Sequence, residues 1–376
     1  MKIPYNRPHL NNKELKNISD AHSRWWLAGD GYYTKKCHEW FEKKFGANKA
    51  LLTTSCSAAM DIMTILANIE KGDEVIMPSF TFSSTANSVV LRGGTPVFVD
   101  IRHDTLNIDE NLIEEAITSK TKAIFVVHYA GVGCEMDTIK RIAKRHKLLV
   151  LEDAAQGFSA RYKGKQLGTI GDVGAMSFHE TKNITSGEGG VLFVNKAKYA
   201  ERAEIIREKG TNRSKFYRGE IDKYTWVDMG SSFLPSEIIS AFLYAQLTGS
   251  KKIIRKRLYI WKDYQKRLMY LEKKAYLRLP VTPVTTEHNG HIFYILLDDQ
   301  KTRNELMTYL KGRGILAPFH YIPLHSSPAG RKFGRYVGRM DNTNKVSSTL
   351  IRLPLFYDLK QSEIDFIVKS IENFFK

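Results

Sequence analysis

The chain has 376 residues, of which 43% are hydrophobic and 26% charged, ordinary proportions for a globular protein with room for one broad domain or two. Its net charge of +17 asks for an anionic partner, yet the basic residues are scattered through helical patterns such as KKIIRKRLYIWKDYQKRL with no nucleic-acid-binding motif. An anionic small substrate or simple solubility accounts for the charge instead, and no nucleic acid is expected. No run of about 18 apolar residues predicts a membrane span, MKIPYNRPHLNNKELKN does not read as a signal peptide, and Cys37, Cys56 and Cys134 stand too far apart for a zinc site or disulfide framework, so a cytoplasmic protein without metal is expected.

From residue 50 onward, short apolar runs alternate with longer mixed segments. ALLTT precedes SAAMDIMTILANIEKG, and EVIMP precedes TFSSTANSVVLRGG. PVFVD leads into the segment around NLIEEAITS, and KAIFVVH leads through DTIKRIAKRHK to LLVLED. This alternation predicts parallel strands with crossover helices. DVGAMSF and GVLFVN are too closely linked for a helical crossover, so a local antiparallel reversal is expected there. Residues 197–209 read as a helix stopped at Gly210. The following stretch, TNRSKFYRGEIDKYTWVDMGSSFLPS, lacks clear periodicity and is long enough to be functional. A long helical pattern spans residues 236–274, and the final third has a different texture. The expected organisation is a large α/β domain over 1–250 and a smaller C-terminal α+β domain over 251–376.

Several positions could carry chemistry. Glu152 and Asp153 end an apolar strand, where open α/β sheets bind ligands; Asp153 reads equally as a local cap or as a partner for a cationic ring nitrogen. In TTSCSAAMD a strand enters a helix through small residues, so Ser55 or Ser57 is either an N-cap or part of an anion site. GEGG lacks the strand–GxGxxG–helix context and does not predict a nucleotide loop. In order along the chain come a helix-start anion site, an aromatic in MPSFTF, a strand-end Asp and a loop lysine, Lys182. Pyridoxal phosphate needs all four: N–H donors for the phosphate, a face to stack on, a carboxylate for the pyridinium and an amine for the aldehyde.

SFHETKNITSGEGG (177–190), with LAGDGYYTKKCHEWFEKKFG, EDAAQGFSARYKGKQLGTIGDVGAMSF and FHYIPLH, resembles the DegT/StrS sugar aminotransferases along nearly the whole chain. The resemblance implies the fold-type I pyridoxal phosphate architecture, a large mixed-sheet α/β domain with a smaller C-terminal α+β domain. It implies Lys182 as the residue bonded to the cofactor aldehyde, Asp153 at the ring nitrogen, Gln156 near the ring hydroxyl and Phe82 stacked on the ring. Cys56 (through its backbone N–H), Ser57 and Ser177, with His179 beside them, would hold the phosphate. Ser232 stands where many members carry an Asn that reaches the neighbouring subunit's phosphate site, and a homodimer with shared active sites is implied. Arg213, Arg218 and Lys223 are candidates for the substrate diphosphate, with Tyr224 and Trp226 to pack on sugar or base. His320 and Tyr321, and after them His325, are candidates for the sugar side.

The run IIREKGTNRSKFYRGEIDKYTWVDMGSSFLPSE resembles the branch that converts dTDP-4-keto-6-deoxyglucose to dTDP-4-amino-4,6-dideoxygalactose, with L-glutamate as donor, for enterobacterial common antigen or related surface polysaccharides. The 3-amino sugar-nucleotide enzymes share much of that run. Related dehydratases replace the lysine with histidine, so Lys182 argues against them. A cofactor-binding regulator without turnover is the remaining alternative.

Overall fold

Alternate residues of the central strands feed two different apolar clusters, one on each face of a sheet. In the computed structural model, which describes residues 2–376, Ile76, Val97, Ile124, Val126 and Val150 join one cluster. Val75, Met77, Phe98, Ala123, Phe125 and Leu151 join the other. Both faces are covered, which is why these runs are almost continuously apolar rather than alternating with polar residues.

The chain begins with α1 (Asn12–Ser23) and α2 (Tyr32–Phe45), the second stopped by Gly46 in the left-handed region at φ 69°. Then β1 (Lys49–Thr53), α3 (Cys56–Leu66), β2 (Glu74–Pro78), α4 (Ser83–Val90) and β3 (Thr95–Val99) alternate as predicted. The next connection is two 3₁₀ turns, Glu110–Leu112 and Glu114–Ala116, rather than a full helix; Ile117 already leaves it extended. It leads to β4 (Thr121–Val127), α5 (Met136–His146) and β5 (Leu149–Asp153). Two short strands, β6 (Arg161–Tyr162) and β7 (Lys165–Gln166), precede β8 (Val173–Ser177) and β9 (Gly190–Val194). β8 and β9 pair antiparallel with Ser177 opposite Gly190, the expected local reversal. α6 (Ala200–Arg207) and the five-residue α7 (Arg213–Tyr217) lead through an irregular segment to α8 (Glu237–Lys273).

Beyond α8 come β10 (Thr286–Glu287), β11 (Phe293–Leu296), α9 (Gln300–Gly312), α10 (Pro328–Phe333), β12 (Arg335–Tyr336), α11 (Asp341–Thr349), β13 (Leu350–Leu353) and α12 (Gln361–Phe374). The main sheet has eight strands in the order β1-β9-β8-β5-β4-β2-β3-β12, and only β9 runs against the rest. β11 and β13 form a separate antiparallel pair.

The boundary expected at residue 250 falls inside α8, whose 37 residues extend roughly 55 Å at 1.5 Å per residue. Leu243 and Leu247 pack into the sheet core, whereas Ile260, Tyr264 and Leu268 pack into a second core with β11, β13, α9 and α12. One helix therefore serves both cores. Two segments cross the division: Ile3 joins the second core, and β12 returns to the edge of the main sheet. Between the cores lies a small aromatic cluster of Phe80, Tyr129 and Tyr294, with Tyr5 and Tyr321 packed against it.

Candidate active site

At the carboxyl end of β5 the pleat sends adjacent side chains to opposite faces. Glu152 is fully buried and saturated: it accepts from His128 Nε2 at 2.9 Å, Gly168 N at 2.8 Å, Ile170 N at 2.6 Å and Gly171 N. Its chemistry is used up in holding the 168–171 turn beneath the sheet. Asp153 faces the other way, where Oδ2 accepts from the Thr85 hydroxyl at 2.8 Å and Oδ1 from Ala155 N at 3.0 Å. Thr85 is itself within 3.0 Å of the Thr81 hydroxyl. Asp153 is thus both a local cap and a fixed carboxylate aimed at the cleft.

Lys182 lies in the loop between β8 and β9, its N–H donating to His179 O at 2.9 Å. Burial lowers its amine below the usual lysine range; the nearby Cys56 thiol and Asp153 pull it back up, and Arg352 lowers it further. The loop is anchored next door, where Asn183 Nδ2 donates to Asn289 O at 3.1 Å and Asn183 Oδ1 meets His291 Nδ1 at 2.9 Å. Asn289 in turn donates to the carbonyls of Gln156 and Phe158 at 2.8 and 2.9 Å. At the loop's far end, a Cβ on Gly190 would come within 2.4 Å of the Ser55 carbonyl and 2.5 Å of Cys56 N. Only glycine lets β9 start this close to the beginning of α3.

Ser55 is the N-cap of α3, accepting from Ala58 N at 3.0 Å, so the choice between Ser55 and Ser57 resolves with Ser55 as cap. Ser57 Oγ instead donates to Ser84 Oγ at 2.7 Å, tying the starts of α3 and α4 together. Cys56 opens the helix, and burial pushes its thiol well above its usual range. Phe82 is the residue before α4 and leaves 59% of its surface exposed, an open aromatic face on the cleft. Gln156 is buried; its Oε1 accepts from Ala130 N at 2.6 Å and its Nε2 donates to Tyr321 Oη at 2.8 Å. Ser177 ends β8 and accepts from His179 N at 3.3 Å, while the His179 ring turns to Thr181 at 3.0 Å and Glu188 at 3.7 Å.

Tyr321 and His320 stack at 3.7 Å, and His320 Nδ1 meets Tyr129 Oη at 2.7 Å. Burial holds the imidazole neutral, well below its usual range. His325 is engaged elsewhere, with Ser79 Oγ at 2.7 Å. The structure therefore brings Lys182, Asp153, Gln156, Tyr321, Phe82 and the α3 start close to one another.

It does not bring the loop candidates there within one chain. Arg213 and Arg218 line a separate cavity of about 640 Å³ with Arg24, Lys49 and Arg207. Arg213 pairs with Glu208 at 3.0 Å, and Arg218 with Glu204 at 2.8 Å. Lys223, Tyr224 and Trp226 are exposed beyond it, and Ser232 is exposed opposite Glu208 in an isolated bridge. Sequence reasoning missed Thr85, Tyr129, Asn183, Asn289, His291, Arg352 and Tyr5. The polar cluster EHNGH, set against an apolar strand, was the available signal for the Asn289–His291 anchor.

The chain matches the model of the DegT/DnrJ/EryC1/StrS aminotransferase family over residues 8–372. It belongs to that family. It is 34% identical over 99% of its length to the uncharacterised Methanocaldococcus jannaschii protein MJ1066, covering 97% of that protein. It is 32% identical over its whole length to the spore coat polysaccharide biosynthesis protein SpsC of Bacillus subtilis, again covering 97%. Among solved structures it is similar to the aminotransferase TlmJ of Streptoalloteichus hindustanus, with a TM-score of 0.92, 25% identity and coverage of 100% of this chain and 99% of that one.

The family is one of sugar aminotransferases, with the fold-type I α/β architecture and pyridoxal phosphate as cofactor. The side chains present fit that cofactor: a desolvated amine, a fixed carboxylate, an open aromatic face and a helix start kept clear by Gly190. No described helix is long and apolar enough to cross a membrane.

Proposed function

We propose that this sugar aminotransferase moves an amino group from L-glutamate to C4 of dTDP-4-keto-6-deoxyglucose, giving dTDP-4-amino-4,6-dideoxygalactose for a surface polysaccharide. The observation that carries the reading is the run from Ile205 to Glu237, whose sequence resembles that branch and which lines one side of a cavity beside α6 that mixes cations with Asp30, Glu204 and Glu208. The name of SpsC agrees with a polysaccharide product.

In this reading Lys182 would bond the cofactor and Asp153 would hold a proton on its ring nitrogen. Gln156 would border the ring, Phe82 would cover one face, and Cys56 N, Ser57 and Ser177 would hold the phosphate. Pyridoxal phosphate, when bound, supplies a ring that accepts carbanion charge. Freed when the donor amine takes its place, Lys182 Nζ would take the proton from the donor's α-carbon and later return one to the sugar carbon. That work needs an accessible neutral amine, which burial provides. Thr85 and Ala155 N fix Asp153, so no reorganisation is needed while charge develops.

Arg213, Arg218, Lys223 and Tyr224 act on the sugar nucleotide from a neighbouring subunit in a cytoplasmic homodimer, with Ser232 in place of the usual Asn at that subunit's phosphate site. This arrangement accounts for their separation from Lys182 in one chain. Tyr321, backed by His320, lines the sugar pocket.

Purified protein is mixed with pyridoxal phosphate, glutamate and dTDP-4-keto-6-deoxyglucose, and the product is followed by mass and its stereochemistry by NMR. An axial 4-amino product supports the proposal. A 3-amino product from the isomeric 3-keto substrate, with none from the 4-keto sugar, overturns it.

A further inference from the structure

The pleat of β13 sends Ile351 and Leu353 into the second core, so Leu350 and Arg352 share the other face. Leu350 joins the aromatic cluster of Phe80, Tyr129 and Tyr294 that borders the cleft. The Arg352 guanidinium donates from Nε and Nη2 to Phe319 O at 3.1 and 2.8 Å, and from Nη1 to Tyr5 Oη at 3.1 Å. The Tyr5 ring also lies 4.5 Å from the cation. The next residue, Asn6, donates to Glu180 O at 3.3 Å, two positions ahead of Lys182. One short N-terminal segment therefore ties this arginine to the lysine loop.

A guanidinium carries five N–H bonds. Three are used here, which leaves one on Nη1 and one on Nη2. Among the described residues the arginine–carboxylate ion pairs all involve other guanidiniums. Around Arg352 the Tyr5, Tyr129 and Tyr321 hydroxyls are raised by burial and His291 and His320 are held uncharged by it; the charged neighbours are the cations Lys182 and Arg257, and Asp153, whose oxygens are already engaged by Thr85 and Ala155 N. The cation thus faces the cleft without a counter-ion, with free N–H groups on two adjacent nitrogens. A carboxylate fits such a fork in bidentate fashion.

We propose that Arg352, braced by Tyr5, receives a carboxylate of the amino donor, an inference that rests on the amino-acid donor of the function proposed above. The sugar nucleotide's diphosphate is the rival anion. The loop cavity gathers Lys49, Arg207, Arg213 and Arg218, each paired with Glu204, Asp30 or Glu208, into a set of charges that suits a polyanion. Arg352 instead presents a single unpaired fork that suits one carboxylate.

The test titrates the full chain, loaded with pyridoxal phosphate, with glutarate, a five-carbon dicarboxylate that lacks an amine, and separately with dTDP. By calorimetry the wild type binds glutarate. Arg352→Gln weakens that binding at least about tenfold, Arg352→Lys by about fivefold and Tyr5→Phe by about threefold, as expected for loss of a charge-assisted fork or of its brace. Affinity for dTDP stays the same in all three.

In turnover Arg352→Gln raises the KM for glutamate and leaves that for the sugar nucleotide unchanged. Wild-type glutarate affinity in Arg352→Gln, no glutarate binding by the wild type, or a loss confined to dTDP would each overturn the assignment. If Arg352→Gln does not fold by circular dichroism, Arg352→Lys decides, and unchanged affinity there overturns it. Arg352-dependent glutarate binding in a protein that aminates no keto sugar supports the carboxylate site and removes the substrate reading instead.

Discussion

At the end of β5 the chain places two carboxylates side by side and gives them opposite environments. On the side of Glu152, the oxygens receive three backbone N–H groups and one imidazole, and no solvent reaches them. On the side of Asp153, a hydroxyl and one N–H fix the group but leave it bordering a cleft that holds a desolvated amine. A saturated carboxylate can hold a turn; an under-saturated one, held still, can act on a ligand. The comparison predicts that the two sides fail differently when altered.

The largest effect belongs to the open side. Lys182→Ala should abolish amino transfer, a loss of at least about 10⁴-fold in turnover, because it removes both the covalent partner and the proton carrier. The visible absorbance of the lysine-bound cofactor should vanish with it, while the urea midpoint stays near that of the wild type. A variant that keeps the absorbance and turns over normally would remove Lys182 from the site. Asp153→Asn should retain cofactor and fold but lose about 10²- to 10³-fold in turnover, since the ring nitrogen no longer keeps its charged partner. Wild-type rates in that variant would make the two sides of β5 equivalent.

The closed side should fail in stability. Glu152→Ala leaves His128 and three N–H groups facing a void, and a loss of about 3–5 kcal/mol in urea unfolding is expected. Glu152→Gln, which keeps the shape and part of the bonding, should lose less. If Glu152→Ala unfolded like wild type and lost only activity, the division between a structural and a chemical carboxylate would be wrong.

Much of this was legible in the sequence, for reasons that differ by residue. The strands were readable because both sheet faces are buried and the runs are uniformly apolar. Lys182 and Asp153 were singled out as candidates by chain order and by the resemblance, and the fold brings them near each other. Which carboxylate of Glu152–Asp153 is structural was not readable, because it depends on which face the pleat presents to the 168–171 turn. Arg352 was invisible for a similar reason: in IRLPLF the arginine looks like a strand-edge solubility residue, and only the packing of residues 5 and 6 brings it to the lysine loop. In the function proposed above the reach of Arg213 and Arg218 depends on a second chain, and one sequence carries no image of that geometry. The segment exchange between the cores, with Ile3 and β12 each crossing over, likewise depends on contacts more than 200 residues apart in sequence.

The smallest predicted effect tests the seam between the two sides, where His291 anchors Asn183 beside Lys182. Burial, with the positive charge of Lys182 adding to it, holds the His291 imidazole well below its ordinary range near 6.5. Its Nδ1 meets Asn183 Oδ1, so the neutral ring carries its proton on Nδ1 and donates. In the unfolded chain this histidine titrates near 6.5, so below that pH the unfolded state binds a proton that the native state refuses. Stability is therefore unaffected by His291 above about pH 7 and is lost as pH falls through the unfolded value, at up to about 1.4 kcal/mol per pH unit. His291→Asn lowers stability at every pH by removing packing, so the level is uninformative and the slope is the readout. Between pH 6.5 and 5.5 the variant should lose about 1 kcal/mol less than the wild type. Equal slopes would mean that His291 is charged in the native protein, and the anchor beside Lys182 would then be a cation rather than a neutral donor.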